Sequence, residues 1–139
     1  MTPNTSPHAR GFTLVEIMIV VAIIALLAAI AIPGMLRARK RSQATLILDN
    51  LRLIDGSKDQ YAIEYGKTNG TPNPADISVY LKKNIGLYNI FSSGSSNDPK
   101  ITTIIYSLND LSMPPAATGA NGAFSDVVDS SFWSPYSVN

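Results

Sequence analysis

Residues 11–34 read GFTLVEIMIVVAIIALLAAIAIPG, and the architecture of the chain follows from them. From Phe12 to Ile32 the run holds a single charge, Glu16. At ~1.5 Å per helical residue it spans roughly the ~30 Å hydrocarbon core of a bilayer. A helix buried in a soluble core is seldom apolar on all faces over such a length, so the run predicts a transmembrane helix. Glu16 is the anomaly within it. A carboxylate costs up to ~2.5–3.5 kcal/mol at the centre of a membrane helix and less near the interface, so its position asks for a partner. Pro33-Gly34 closes the segment. Proline removes a backbone donor and glycine adds backbone freedom, which predicts a kink near that pair.

Upstream, residues 1–11, MTPNTSPHARG, lack acidic side chains and carry Arg10 next to the apolar run, the pattern of a targeting leader. The 139 residues hold no cysteine, and His8 is the only histidine. Disulfides, thiol nucleophiles and cysteine-based metal sites are therefore excluded, and so is most nucleophilic chemistry once the leader is gone. The reading is not an enzyme. Eleven Lys+Arg against ten Asp+Glu leave a formal charge of +1, too little to attract nucleic acid over the whole surface.

Downstream of Gly34 the helix is expected to resume. Ala44, Ile47, Leu51, Ile54, Tyr61 and Tyr65 recur at three- and four-residue steps, with Lys58 the one polar member of the stripe. Gly66 is a plausible cap, followed by the Gly/Asn/Pro-rich loop GKTNGTPNP. ADISVYLKKN suggests a short helix, with a strand as the alternative. LYNIF at 87–91 and ITTIIYSL at 101–108 read as two antiparallel strands joined by SSGSSNDP. PPAATGANGA reads as an irregular loop, and FSDVVDSSFWSPY as a last strand or an ordered tail held by Phe132 and Trp133. The fold class is α+β: a long N-terminal helix, kinked near Pro33-Gly34, packed on a small antiparallel sheet with irregular loops.

The stretch Gly11-Phe12-Thr13-Leu14-Val15-Glu16 opening an apolar helix resembles the class III signal of type IV prepilins and type II secretion pseudopilins. The match covers residues 8–34 and includes the basic residue before the glycine and Pro33 at the end of the segment. The resemblance implies that a prepilin peptidase cuts between Gly11 and Phe12 and methylates the new N-terminus. It also implies that Glu16 then pairs with the Phe12 ammonium of a neighbouring subunit, as a register pin in a helical filament. A pairing within one helix is geometrically open as well, one turn separating positions 12 and 16. The division expected is a removed leader, 1–11; an assembly half of the helix, 12–33, ended by Pro33; and an outward-facing domain, 34–139.

The resemblance further implies the partners: copies of itself or homologous pilins, the peptidase, an inner-membrane assembly platform, and the bilayer before assembly. It places the chain in a bacterial inner membrane with its C-terminal domain in the periplasm, then in a filament. The small outer domain and the absence of a C-terminal disulfide loop lean toward a pseudopilus rather than a type IV pilus. The tail TGANGAFSDVVDSSFW resembles the calcium-binding tail of major pseudopilins, which makes Asp126 and Asp129 candidate oxygen ligands; no other cofactor is implied.

Three features pull elsewhere. Ala29-Ile30-Ala31 has the form cut by ordinary signal peptidase, although the apolar run before it exceeds the usual ~7–15 residues. Arg37, Arg39, Lys40 and Arg41 follow the apolar run, so the positive-inside rule alone would hold the C-terminal domain in the cytoplasm. Finally, a membrane-anchored or secreted binding module would need no assembly signal at all. Asn69-Gly70-Thr71 fits a glycosylation pattern frequent by chance, and Tyr61, Tyr65, Tyr80 and Tyr88 suit core packing better than ligand stacking.

Overall fold

A computed structural model describes residues 11–83, 86–98, 101 and 104–139; His8, Arg10 and the rest of the leader before Gly11 lie outside the described residues, as do Thr102 and Thr103 of the expected second strand. The chain divides into two compact units, the first ending at Arg37 and the second running Ala38–Asn139. Helix α1, Leu14–Tyr65, contributes to both.

The helical assignment of α1 runs through Pro33 and Gly34 without a break. Proline withholds only the one donor that would have met the Ala29 carbonyl, and neighbouring turns keep their own bonds. In the first unit the side chains of α1 are apolar apart from Glu16 and Arg37, and the large apolar ones are exposed, from Leu14 and Val15 to Ile32 and Leu36. By length and composition this stretch can cross a membrane.

In the second unit α1 becomes one-sided. Ala44, Ile47, Leu51, Ile54 and Tyr61 are buried at helical spacing, as their period requires, while Tyr65 is exposed. Gly66, at φ +60°, ends the helix in the left-handed conformation that a residue with a Cβ disfavours. Its N–H reaches the Ile63 carbonyl at 3.4 Å and that of Lys67 reaches Ala62 at 3.0 Å, which closes a Schellman cap.

Two short helices follow, α2 at Pro74–Ser78 and α3 at Gly86–Ser92. Proline opens α2, at a position where a helix has no use for the missing N–H. The expected strand LYNIF is therefore a helix. Leu87, Ile90 and Phe91 are its buried residues, and their steps of three and four fit one helical face, whereas a strand would have aligned Leu87, Asn89 and Phe91.

The sheet has three short strands in the order β1-β2-β3: β1 at Ile105–Ser107, β2 at Ala116–Thr118 and β3 at Ser137–Val138. It is mixed, not purely antiparallel. Tyr106 faces Ala117 in the antiparallel β1–β2 pair, while Ala117 faces Val138 in the parallel β2–β3 pair. The expected loop PPAATGANGA thus supplies β2 and, after Gly119 at φ +90°, helix α4 at Ala120–Phe124. Ala117 and Ala120 are buried there because small side chains fit against a core already filled by aromatic rings. The tail closes with a 3-10 turn at Ser130–Trp133 and β3. Trp133 anchors it, buried at 5.1 Å from the Phe132 ring and 6.5 Å from Phe124.

One apolar cluster joins the α1 stripe to Phe91, Ile104, Tyr106, Ala117 and Trp133. Two polar groups inside it do connecting work. The Tyr106 hydroxyl accepts from Asn50 at 2.8 Å and donates to Asp98 at 3.3 Å, and burial pushes its ionisation well above the ordinary phenol range. Lys58, only 1% exposed, donates to the carbonyls of Asp110 at 2.9 Å and Met113 at 2.5 Å. Burial lowers the Lys58 pKa, partly offset by the charges of Asp55, Asp110 and Asp59. The same loop is tied to the helix-end loop by the Asp110 carboxylate, which accepts from the Gly70 N–H at 2.7 Å, and by the Leu111 N–H on the Gly70 carbonyl at 3.0 Å. Bonds from Ser112, then Gly70, hold that carboxyl below the usual carboxylate range.

Replacing Lys58 by methionine leaves two carbonyls without their donor, so unfolding of the detergent-solubilised chain in urea is expected to show a loss of about 2–4 kcal/mol. Alkaline stability tests a second contact. Tyr80 donates to Glu64, and that bond holds its pKa up at about 12 against an ordinary 10.0. Above pH 10 the unfolded chain loses this proton first, so the contribution of the bond, complete below 10, fades as the pH rises through 12. Tyr80→Phe should flatten the fall in stability over that window.

Candidate functional site at the start of the long helix

Glu16, singled out by its place in an apolar run, sits in the first turn of α1. Thr13 occupies the position just before the helix, and its carbonyl accepts the N–H of Ile17 at 3.4 Å. Its N–H and its hydroxyl both donate to Oε2 of Glu16, each at 2.8 Å, and its Oγ1 accepts the N–H of Glu16 at 3.2 Å. This reciprocal arrangement is a capping box, in which two backbone donors that a helix start leaves open are both satisfied. A negative group here also meets the positive end of the helix dipole.

The helix begins at Leu14, which leaves Phe12 outside its first turn. Positions 12 and 16 are thus not brought together by a shared turn, and it is Thr13 that takes the Glu16 carboxylate. Gly11 and Phe12 are exposed, and a Cβ added at Gly11 would meet nothing within 4 Å. An open backbone of this kind is accessible to a protease. Thr13 is not among the residues that the apolar run singles out, although Thr-x-x-Glu before such a run is the recognised signature of this cap.

Pro33 lies within α1, seventeen residues beyond Glu16 in the sequence, and makes no part of this constellation. Asp126 and Asp129 lie in the second unit, around the tail. Asp126 accepts a 2.8 Å ion pair from Lys40, and Asp129 precedes the 3-10 turn without capping it by its side chain. Among the described residues no group of three or more His, Cys, Asp or Glu side chains is gathered for a metal ion. Calcium takes six to eight oxygens, so most of them would have to be carbonyls or water, and the Lys40 ammonium already occupies one of the two carboxylates.

Thr13→Val keeps the shape of the side chain and removes the hydroxyl. Loss of a cap costs ~1 kcal/mol, so amide exchange measured in micelles should quicken by roughly fivefold over Leu14–Ile17 and remain unchanged beyond Ile24.

Comparison with known proteins agrees on this end of the chain. The family described as the prokaryotic N-terminal methylation motif matches residues 6–32. The type IV wide pilus major component of Thermus thermophilus is 45% identical over 76 residues, covering 54% of this chain and 56% of that protein. The type IV major alpha-pilin of Moraxella bovis is 41% identical over 91 residues, 66% of this chain and 53% of its own length. The type II secretion system core protein G of Klebsiella pneumoniae is 31% identical over 55 residues, 40% of this chain and 39% of that protein. The chain thus spans about half the length of the first two relatives and less of the third. No solved structure matches it.

Proposed function

We propose, from the premise that this chain is type IV pilin-like, that it is a structural subunit of a pilus-like filament, processed between Gly11 and Phe12 and assembled through α1. The observation that carries this reading is a helix apolar from Leu14 to Leu36 whose one acidic side chain over that stretch, Glu16, lies in its first turn, five residues after Gly11. It is not an enzymatic reading, and the named relatives are pilins and a secretion core protein.

The chemistry proposed is assembly. Before assembly a bilayer covers the apolar side chains, each gaining roughly 1.5–3 kcal/mol relative to exposure in water. While the subunit waits, the Thr13 cap supplies the Glu16 carboxylate with two hydrogen-bond donors. Cleavage would place an ammonium on Phe12, next to this box. An incoming copy would then offer its Glu16 to that ammonium, as the bilayer around α1 is exchanged for neighbouring helices. The second unit would stand outside the cytoplasm, with the peptidase acting on the leader at the inner face.

A type IV pilus is the better supported setting, because the higher identities are to pilus subunits. A type II secretion pseudopilus is the second reading, favoured by the match to core protein G and by the small second unit.

Glu16→Ala tests the assembly reading in a bacterium whose own major pilin has been deleted. The expected result is a mature chain beginning at a methylated Phe12, by intact mass, with filaments absent. Parental filament yield from Glu16→Ala would overturn the role given to Glu16, and a parent chain that forms no filament at all would favour a membrane-anchored binding module instead.

A further inference from the structure

Four basic residues follow directly on the apolar stretch of α1: Arg37, Arg39, Lys40 and Arg41. All four are exposed. Lys40 is paired with Asp126, whereas Arg37, Arg39 and Arg41 have no ion pair or side-chain hydrogen bond among the described residues. Their own stretch of helix supplies no counter-charge, since the sequence holds no acidic residue between Glu16 and Asp49. Arg37 and Arg41 stand four residues apart, a spacing at which like charges on a helix repel. The cluster is a concentration of positive charge that the chain leaves uncompensated.

Its place and its shape select a partner. Leu14–Leu36 covers ~34 Å at ~1.5 Å per residue, enough to cross a hydrocarbon core of ~30 Å with some tilt. Arg37 therefore stands where hydrocarbon gives way to headgroups. The rise from Arg37 to Arg41 is about 6 Å, close to the ~5–8 Å that the headgroup layer adds on each side of the core. Consecutive helical residues point about 100° apart, so Arg39, Lys40 and Arg41 face three ways around α1. An acidic protein surface or a nucleic acid approaches a helix from one side, while headgroups surround it.

We infer that this cluster binds the phosphates of anionic phospholipid headgroups, in preference to zwitterionic ones. Three of the four residues are arginines, whose planar guanidinium meets two phosphate oxygens at once, and whose long stems let the charge stay in the polar layer. A zwitterionic headgroup answers its phosphate with its own ammonium, so the net attraction belongs to the anionic lipid. Near an anionic surface each basic residue strengthens the attraction by about fivefold. The inference rests on the membrane stage of the function proposed above, and its chemistry is the same in either leaflet.

The chain has no cysteine, so Ser42→Cys, at an exposed position beside the cluster, takes a single dye. The full chain labelled there is reconstituted in vesicles of equal parts phosphatidylglycerol and phosphatidylcholine. Short-range energy transfer to a trace of either lipid, carrying an acceptor on its acyl chain, reports which one gathers near the dye. The expected enrichment of phosphatidylglycerol is about threefold or more at low salt, falling towards parity at ~1 M salt. Combining Arg37→Gln, Arg39→Gln and Arg41→Gln should also bring it to parity, and glutamine preserves the helix. Arg52→Gln, farther along α1 at a residue paired with Asp49, should leave the enrichment at its parental value. Parity in the parent overturns the inference, as does enrichment that survives the triple substitution or is lost equally in Arg52→Gln. Surviving enrichment together with lost filaments would assign the cluster to an acidic protein surface instead. Flotation with the vesicles keeps the two readings apart. A chain that floats without lipid preference loses only this inference, and a chain that does not float loses the membrane stage as well.

Discussion

Apolar side chains on α1 between Leu14 and Leu36 have no protein cover in a single copy, and the rest of the chain is organised around that fact. Water is a poor solvent for such a surface, and a helix without cover must take it from lipid or from other helices. An α-helix can do either because its backbone bonds are satisfied within itself and need no rearrangement when the surroundings change. The polar exceptions matter for the same reason. Glu16 is tolerable in the first turn because Thr13 and the helix dipole meet its charge locally.

From Ala44 onward the same helix solves a different problem. Its buried stripe gives the small second unit one rigid side on which short elements can collect, and strands of two or three residues have little stability of their own. Their cohesion comes from side chains that reach across: Asn50 to Tyr106, Lys58 to the loop after β1, Trp133 against Phe124.

The features written in local pattern were legible in the sequence. The membrane-length run, the three-and-four spacing from Ala44 to Tyr61 and the stop at Gly66 each depend on neighbours within a few turns, so periodicity and backbone freedom suffice to read them. LYNIF misled because a five-residue apolar run fits either period, and only the joint burial of Leu87, Ile90 and Phe91 decides between them. Ala116–Thr118 holds two alanines, which strands disfavour; its pairing is imposed by Tyr106 on one side and Val138 on the other. At the site, Gly11, Phe12 and Glu16 stand out by chemistry, yet the geometry that fixes Glu16 comes through Thr13. The Lys40–Asp126 pair spans 86 residues of sequence, a distance at which no local pattern operates.

Lys58 puts a positive charge where two loop carbonyls converge, a task that many extracellular domains assign to a bound ion. Here the cation is part of the covalent chain. It cannot be stripped by a chelator or exchanged for another ion, and its supply does not depend on the medium. The loop after β1 is therefore held to α1 by a charge that the polypeptide brings with it as it folds.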